Sequence, residues 1–362
     1  MSAPDALNRL IQRQMTAAGG WLAFDRFMAM ALYAPGSGYY SGPLRKLGLM
    51  PESGSDFVTA PELSPWFGRA LAKAVGEALA RTSTTEVWEF GAGSGALALH
   101  LMGVLGERVS TYHIVDLSGS LRLRQQDTLH AYAGRIVWHD ELPEQFSGVV
   151  VGNELLDAMP IQLLVCRSGL WHERGVIATE DAQHPWAWSD RPTTLCPPVE
   201  VEGDHDYLTE IHPQAEAFVR TLSQRLKAGA VFLIDYGFPE REYYHPQRHM
   251  GTLMCHQGHL SDPDPLVSVG AKDITTHVNF TGIAWAAQEA GMAVLGYTSQ
   301  ARFLINCGLV DLLQDASLQE RAMAQKLLTE HEMGELFKVI ALGVGEPWEP
   351  LGFTQGDRTH TL

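Results

Sequence analysis

The stretch Glu86-Val87-Trp88-Glu89-Phe90-Gly91-Ala92-Gly93-Ser94-Gly95-Ala96 runs from apolar residues into three alternate glycines and then into a helix-like segment. Glycines there let the backbone turn sharply and let a ligand lie against the loop without meeting a Cβ. Acids close the next two apolar segments: Asp116 ends Thr111–Asp116, and Asp140 follows Ile136-Val137-Trp138-His139. An acid roughly 20 residues past such glycines is placed to meet ribose hydroxyls. A fourth apolar segment breaks into Gly152-Asn153-Glu154-Leu155-Leu156-Asp157-Ala158-Met159-Pro160. There Asn153 can hold an acceptor nitrogen, while Glu154 and Asp157 can bind a cationic acceptor.

Two cofactor chemistries compete for these residues. With S-adenosylmethionine (SAM), Gly91, Gly93 and Gly95 pack under the amino-acid part, Glu89 is a carboxylate partner at the strand end, Asp116 meets the ribose and Asp140 the adenine. Methyl transfer then needs alignment more than acid–base help, because the sulfonium is already an activated donor. Gly91, Gly93 and Ala96 also satisfy the relaxed dinucleotide pattern, so a nicotinamide-dependent oxidoreductase is the rival. Asp140 is expected for SAM and less so for NAD. A binding-only assembly factor is a third possibility, against which the intact Glu89, Asp116, Asp140 and Asn153 argue. Several of these residues also have plain structural roles: Asp116 as a helix cap, Asp140 as a turn residue, Asn153 and Asp157 as turn and cap. His245, His249, Cys255, His256 and His259 invite a zinc reading, but their spacing matches no known finger, and loop histidines lining the cleft are the preferred expectation.

The elements that must carry these residues alternate. Strands are expected at Glu86–Phe90, Thr111–Asp116, Ile136–Trp138 and Gly148–Gly152, with helices at Ala96–Leu105 and Ser120–Ala133 between them. That order implies a parallel sheet covered on both faces. Further on come helix His212–Lys227, strand Val231–Asp235, helix Phe280–Glu289, strand Ala293–Thr298, two short helices within Phe303–Leu328 and strand Phe337–Val344. The fold class is α/β and Rossmann-like, a mostly parallel seven-stranded sheet with an antiparallel final strand. Residues 1–82 are expected to form an N-terminal helical cap, with helices over Ala6–Ala18, Leu22–Leu32 and Pro65–Ala80. The core spans 83–345, with a hairpin (Ile161–Val165 and Trp171–Ile177) and Pro-rich linker at about 161–210, and a loop region at about 238–278 that holds one strand near Gly251–His256. A tail occupies 346–362.

Of the 362 residues 45% are hydrophobic and 19% charged, close to soluble globular averages, which disfavours disordered and membrane-inserted classes. The opening carries Asp5 and then helix-like Leu7, Leu10, Ile11 and Met15 rather than an apolar signal core, so the cytoplasm is the expected compartment. Four scattered cysteines without C-x-x-C spacing fit reduced thiols. The net charge of −16 repels phosphate backbones and draws cationic side chains, so nucleic acid is not expected as a partner.

Six blocks then occur in a fixed order: Tyr33-Ala34-Pro35-Gly36-Ser37-Gly38-Tyr39-Tyr40, Asp56-Phe57-Val58-Thr59-Ala60-Pro61-Glu62-Leu63-Ser64, Glu89–Gly95, Asn153–Pro160, Asp235-Tyr236-Gly237 and Asp273-Ile274-Thr275-Thr276-His277-Val278-Asn279-Phe280. In these blocks, over roughly Leu22 to Val344, the chain resembles the MidA-like family, which includes the mitochondrial complex I assembly-factor arginine methyltransferases. The resemblance implies a class I SAM-dependent enzyme whose acceptor is an arginine on another protein, symmetrically dimethylated, in a respiratory-complex subunit. It also implies that Thr59 and Glu62 lie near the cofactor, although both can equally start a helix. Tyr39 and Tyr40 are expected to wall the acceptor channel or to serve as core. The glycine loop reads Gly-Ala-Gly-Ser-Gly where many relatives carry Gly-Pro-Gly-Arg-Gly, and Asn279 replaces a common aspartate.

Overall fold

The computed structural model describes residues 3–42, 59–116, 119–203 and 205–362; Asp56, Phe57 and Val58 lie outside them. In the strand Glu86–Phe90 (β1) every residue after Glu86 is buried, as befits a strand covered on both faces. Around it stand Thr111–Val115 (β2), Ile136–His139 (β3), Phe146–Asn153 (β4), Leu226–Phe238 (β5), Ala293–Ser299 (β6) and Phe337–Val344 (β7). Their spatial order is β3-β2-β1-β4-β5-β7-β6. The first five run parallel, and β7 is antiparallel to both β5 and β6. This is the expected seven-stranded sheet, to which Val278–Asn279 adds a short parallel strand beside the end of β5. The chain leaves β1 in one direction and returns to β4 on its other side, so the switch point of the sheet, where open α/β folds bind ligands, lies between the carboxyl ends of β1 and β4.

Alternation along the strands divides the core. Val149, Val151, Phe232 and Ile234 pack on one face with helices Pro65–Thr82 and Ala96–Leu105. Val150, Val231 and Leu233 pack on the other with helices Pro213–Arg225 and Phe280–Glu289. The expected 1–82 cap is therefore not one unit, because its last helix belongs to the main core. Helices Ala3–Ala17 and Phe24–Tyr33 instead bury Leu7, Ile11, Phe24 and Phe27 in a separate cluster with Leu163, Val176 and Trp186. Leu22, expected to open a helix, pairs with Val176 in a two-residue strand.

The expected hairpin exists as Gln162–Arg167 and Leu170–Ala178, and it grows into a five-stranded sheet with Leu22–Ala23, Trp186–Pro192 and Tyr207–Ile211. The expected Pro-rich linker thus carries two strands, with Pro192 tolerated at a strand end. Within 238–278, Met254–Gln257 pairs with both Leu260–Asp262 and Asp273–Thr275. Among the described residues no helix is long and apolar enough to cross a membrane.

Candidate functional site

The loop after β1 takes the backbone conformation its glycines permit: φ is +66° at Gly91, +53° at Gly93 and +84° at Gly95. A Cβ on Gly91 would stand 3.3 Å from Leu155 Cδ1, and one on Gly95 3.4 Å from the Gln125 backbone. Glu89, the buried acid before the loop, accepts a 2.7 Å hydrogen bond from Tyr112 Oη. Burial pushes its carboxyl up to about 7, with Asp116 adding to the rise and Tyr112 opposing it. Asp116, just past β2, receives Gln125 Nε2 at 2.9 Å, and the same amide donates to Gly93 O at 3.1 Å. Trp138 Nε1 in turn donates to Gln125 Oε1 at 3.0 Å. One buried amide thus fixes the glycine loop and the ribose acid relative to each other. Nothing in the sequence singled out Gln125, since a polar residue on the helix Gly119–Thr128 reads as solvent-facing.

A cavity of about 470 Å³ opens at the carboxyl ends of β1 and β4, at the switch point. The sequence candidates Thr59, Glu62, Glu89, Gly91, Gly93, Asp116, Asn153, Glu154 and Asp157 all line it. Gly95 does not line it and is instead the N-cap of helix Ala96–Leu105, packed against helix Gly119–Thr128. Asp140 departs from expectation: it does not line the cavity, its side chain is 84% exposed, and it pairs with Arg122 at 2.6 Å. It stands at the expected strand end and turns toward Arg122 of helix Gly119–Thr128 and solvent. The histidines of 245–259 are a second correction, since none of them lines the cavity. His245, His249 and His259 are exposed and Cys255 is buried in the three-stranded sheet. Among the described residues no three His, Cys, Asp or Glu side chains are placed to hold a metal.

The loop after β4 is shaped by an acid from the neighbouring strand. Asp235 Oδ2 accepts the backbone N–H groups of Leu155 (3.1 Å), Leu156 (2.8 Å) and Asp157 (3.2 Å), and Oδ1 accepts that of Tyr236 (3.0 Å). Burial, Asp157 and Glu154 push the Asp235 carboxyl up, and these backbone donors pull the other way. Glu154 departs from the strand at φ +51°, a left-handed conformation uncommon outside glycine, and its N–H donates to Ile234 O at 2.9 Å. Its carboxyl is pushed up to about 8 by burial first and then by Asp157 and Asp273, against hydrogen bonds from Asn153 and the Ala60 backbone. Asn153 Nδ2 reaches Glu154 Oε1 at 3.0 Å. Asp157 Oδ2 accepts Tyr236 Oη at 2.5 Å, and burial holds its carboxyl up at about 6. Asn153 Oδ1, Asp157 Oδ1 and Glu62 Oε1 are buried with no hydrogen-bond partner among the described residues.

Thr59 stands at the N-cap position of the short helix Ala60–Leu63 without a side-chain cap bond, the Ala60 N–H donates to Glu154, and Glu62 lies 3.6 Å from Arg124. Tyr40 lines the cavity while Tyr39 is fully buried, so the two tyrosines divide the expected roles between them. Asp273 and Tyr33, which the sequence offers only as the first residues of two longer blocks, also line the cavity. Asn279 caps helix Phe280–Glu289 through Gly282 N–H at 3.3 Å, a task open to asparagine and aspartate alike. Six carboxylates border the cavity, and no lysine, arginine or histidine does so among the described residues. The glycine cradle and the paired acids fit a SAM molecule, whose ammonium, sulfonium and ribose hydroxyls want acceptors and whose amino-acid end needs room above the loop.

Comparison with known proteins agrees with this geometry. The model of a family described as "putative S-adenosyl-L-methionine-dependent methyltransferase" matches residues 68–298. The structure superposes, with a TM-score of 0.95 and 48% identity over 99% of this chain and 97% of the other, on a "likely methyl transferase" from Burkholderia thailandensis bound to S-adenosyl-homocysteine. The "protein arginine methyltransferase NDUFAF7, mitochondrial" of Danio rerio is 26% identical over 93% of this chain and 87% of its own length. Its Homo sapiens counterpart is 25% identical over 89% of this chain and 80% of its own length. The bound product of the cofactor in the bacterial structure decides for SAM over a nicotinamide.

Proposed function

From the premise that this chain belongs to the family of putative S-adenosyl-L-methionine-dependent methyltransferases, we propose that it methylates an arginine side chain of another protein. The observation that carries this reading is the end of the cavity at the β4 loop, where Asn153 Oδ1 and Asp157 Oδ1 are buried with no hydrogen-bond partner among the described residues, beside the further carboxylates of Glu154 and Asp273. A guanidinium has five N–H donors and no acceptor, and so complements such a wall. Two relatives named as protein arginine methyltransferases support the same choice at 25–26% identity.

The bound cofactor supplies a methyl group on a sulfonium. Gly91 and Gly93 leave room for it, Gly95 lets helix Gly119–Thr128 pack behind the loop, and Glu89 and Asp116 would hold its cationic part and its ribose. Asn153 and Asp157 hold the acceptor, with Tyr236 orienting Asp157. Glu154 stabilises the guanidinium as a carboxylate and takes the proton that the methylated nitrogen sheds, a task suited to a carboxyl that burial pushes up to about 8. A cation beside Glu154 favours its ionised form. On the family resemblance the product is symmetric dimethylarginine on a respiratory-complex subunit, and four free cysteines without C-x-x-C spacing favour a reducing compartment such as the cytoplasm.

Labelled SAM added with the enzyme to lysate of a deletion strain, followed by mass spectrometry of the labelled material, tests this. Label on an arginine of one protein is the expected result. Label on nucleic acid, a small molecule or another side chain overturns the acceptor while leaving the methyltransferase intact.

A further inference from the structure

Part of the cavity wall carries an acid that the β4 loop does not supply. Asp273 opens the strand Asp273–Thr275 of the small sheet, is 2% exposed and lines the cavity. Tyr40 Oη donates to it at 2.9 Å (Oδ1) and 3.0 Å (Oδ2), and the Ile274 N–H donates to Oδ1 at 3.0 Å. Tyr40 stacks on Tyr33, with ring centroids 5.6 Å apart and planes 17° from parallel. Tyr33 Oη donates at 2.7 Å to the carbonyl of Ala158, the residue after Asp157. A stacked aromatic pair, hydrogen-bonded at each end, therefore spans from the loop of Glu154 and Asp157 to the strand of Asp273. Asp273 is also close enough to raise both Glu154 and Tyr33.

We propose that Asp273 binds the acceptor cation together with Glu154 and Asp157, and that the Tyr33–Tyr40 pair sets the spacing of these acids so that the site selects a planar guanidinium over an ammonium. An ammonium concentrates its three donors at one point and is satisfied by one cluster of oxygens. A guanidinium presents donors along several edges of a flat ion and stacks on aromatic faces, so acids on two elements with tyrosines between them match its shape. Asp273 is a binding residue and Tyr40 a positioning residue that acts through it. The inference rests on the arginine reading and assigns its selectivity to residues outside the β4 loop.

The test uses two probes with the full chain: 5′-thioadenosine bearing an alkylguanidinium arm at sulfur, and the same molecule with an alkylammonium arm of equal reach. Calorimetry should show the wild type binding the guanidinium probe roughly tenfold or more tighter than the ammonium probe, the order expected of a hydrogen bond between charged groups. Asp273→Asn should bring that ratio close to one while S-adenosylhomocysteine affinity stays within about twofold, because the cofactor's own contacts remain. Tyr40→Phe keeps the stack and loses the donor, and should lower the ratio part of the way. It decides the matter should Asp273→Asn fail to bind S-adenosylhomocysteine. A wild type that prefers the guanidinium probe, with variants that keep the preference, overturns the role of Asp273 alone. A wild type without the preference overturns the arginine reading and this inference with it.

Discussion

Glu154→Gln removes one charge from the acceptor wall, preserves the side chain's shape and leaves an oxygen for the Asn153 amide. Because the Glu154 carboxyl is pushed up to about 8, at pH 7 only about one free-enzyme molecule in ten carries the charge that a cationic acceptor needs. With SAM saturating, kcat/KM should climb about tenfold per pH unit to a bend at or somewhat below 8 and then level off, because this parameter reports ionisations of the SAM-bound form that meets the acceptor, where the sulfonium favours the carboxylate. Asp157, held at about 6, steepens the climb below that value. In Glu154→Gln the limb between pH 6 and 8 should disappear. The plateau at pH 8.5 should fall by about 2–5 kcal/mol, or roughly thirtyfold to several-thousandfold, the cost of losing one partner of a buried charge pair. S-adenosylhomocysteine affinity should stay within about twofold, since the loss is confined to the acceptor. Initial rates with labelled SAM and a dilute acceptor pool are proportional to kcat/KM and provide the assay. A variant with the wild-type rate, or one that keeps the wild-type limb, refutes the reasoning.

The same substitution should stabilise the protein: Glu154 keeps its proton in the folded state from 4.5 to about 8 while the unfolded chain has lost it, so its contribution falls as pH rises through that window. Thermal unfolding should give Glu154→Gln a higher Tm than wild type at pH 8, with the gap closing near pH 5. Gly93→Arg should abolish binding of SAM and S-adenosylhomocysteine by calorimetry, because φ is +53° there and a side chain would enter the cofactor's space. Asp116→Ala and Gln125→Ala should each weaken that binding by about 1–3 kcal/mol, whereas Asp140→Ala, which breaks only an exposed pair with Arg122, should change it by less than about 1 kcal/mol. Asp235→Ala leaves the N–H groups of Leu155, Leu156 and Asp157 without their acceptor and should cost about 3 kcal/mol or more in denaturant unfolding.

The elements legible in the sequence are those whose pattern is local. Ala96–Leu105, Phe280–Glu289 and Phe337–Val344 fall within the residues expected, because apolar runs end at glycines or caps. Leu22–Ala23, Tyr207–Ile211 and Asp273–Thr275 carry no such local pattern, since strands of two to five residues are defined by partners far along the chain rather than by any period of their own. The site divides in the same way. Gly91, Gly93, Asn153, Glu154 and Asp157 follow strand ends and could be placed from order alone. Gln125, Tyr33 and Asp273 reach the cavity only through helix docking and the small sheet. Asp140 stands at the strand end that the order predicts, but its carboxylate turns to Arg122, a direction that position along the strand does not determine.

The tie from Asp235 to the β4 loop bears on any effort to move this activity elsewhere. Asn153–Pro160 looks like a portable cassette, eight consecutive residues holding every acceptor group of its strand. Its backbone is nevertheless templated by an oxygen from the end of β5, and its far side is buttressed by Tyr33 from the N-terminal arm. Transplanted alone into another methyltransferase sheet, the cassette would arrive without the acid that fixes its turn or the strut that faces it, and Glu154 would have nothing to hold it in a left-handed conformation. The smallest transferable unit is therefore discontinuous: the loop, the Asp235-Tyr236 pair, and the helix ending at Tyr33 must travel together.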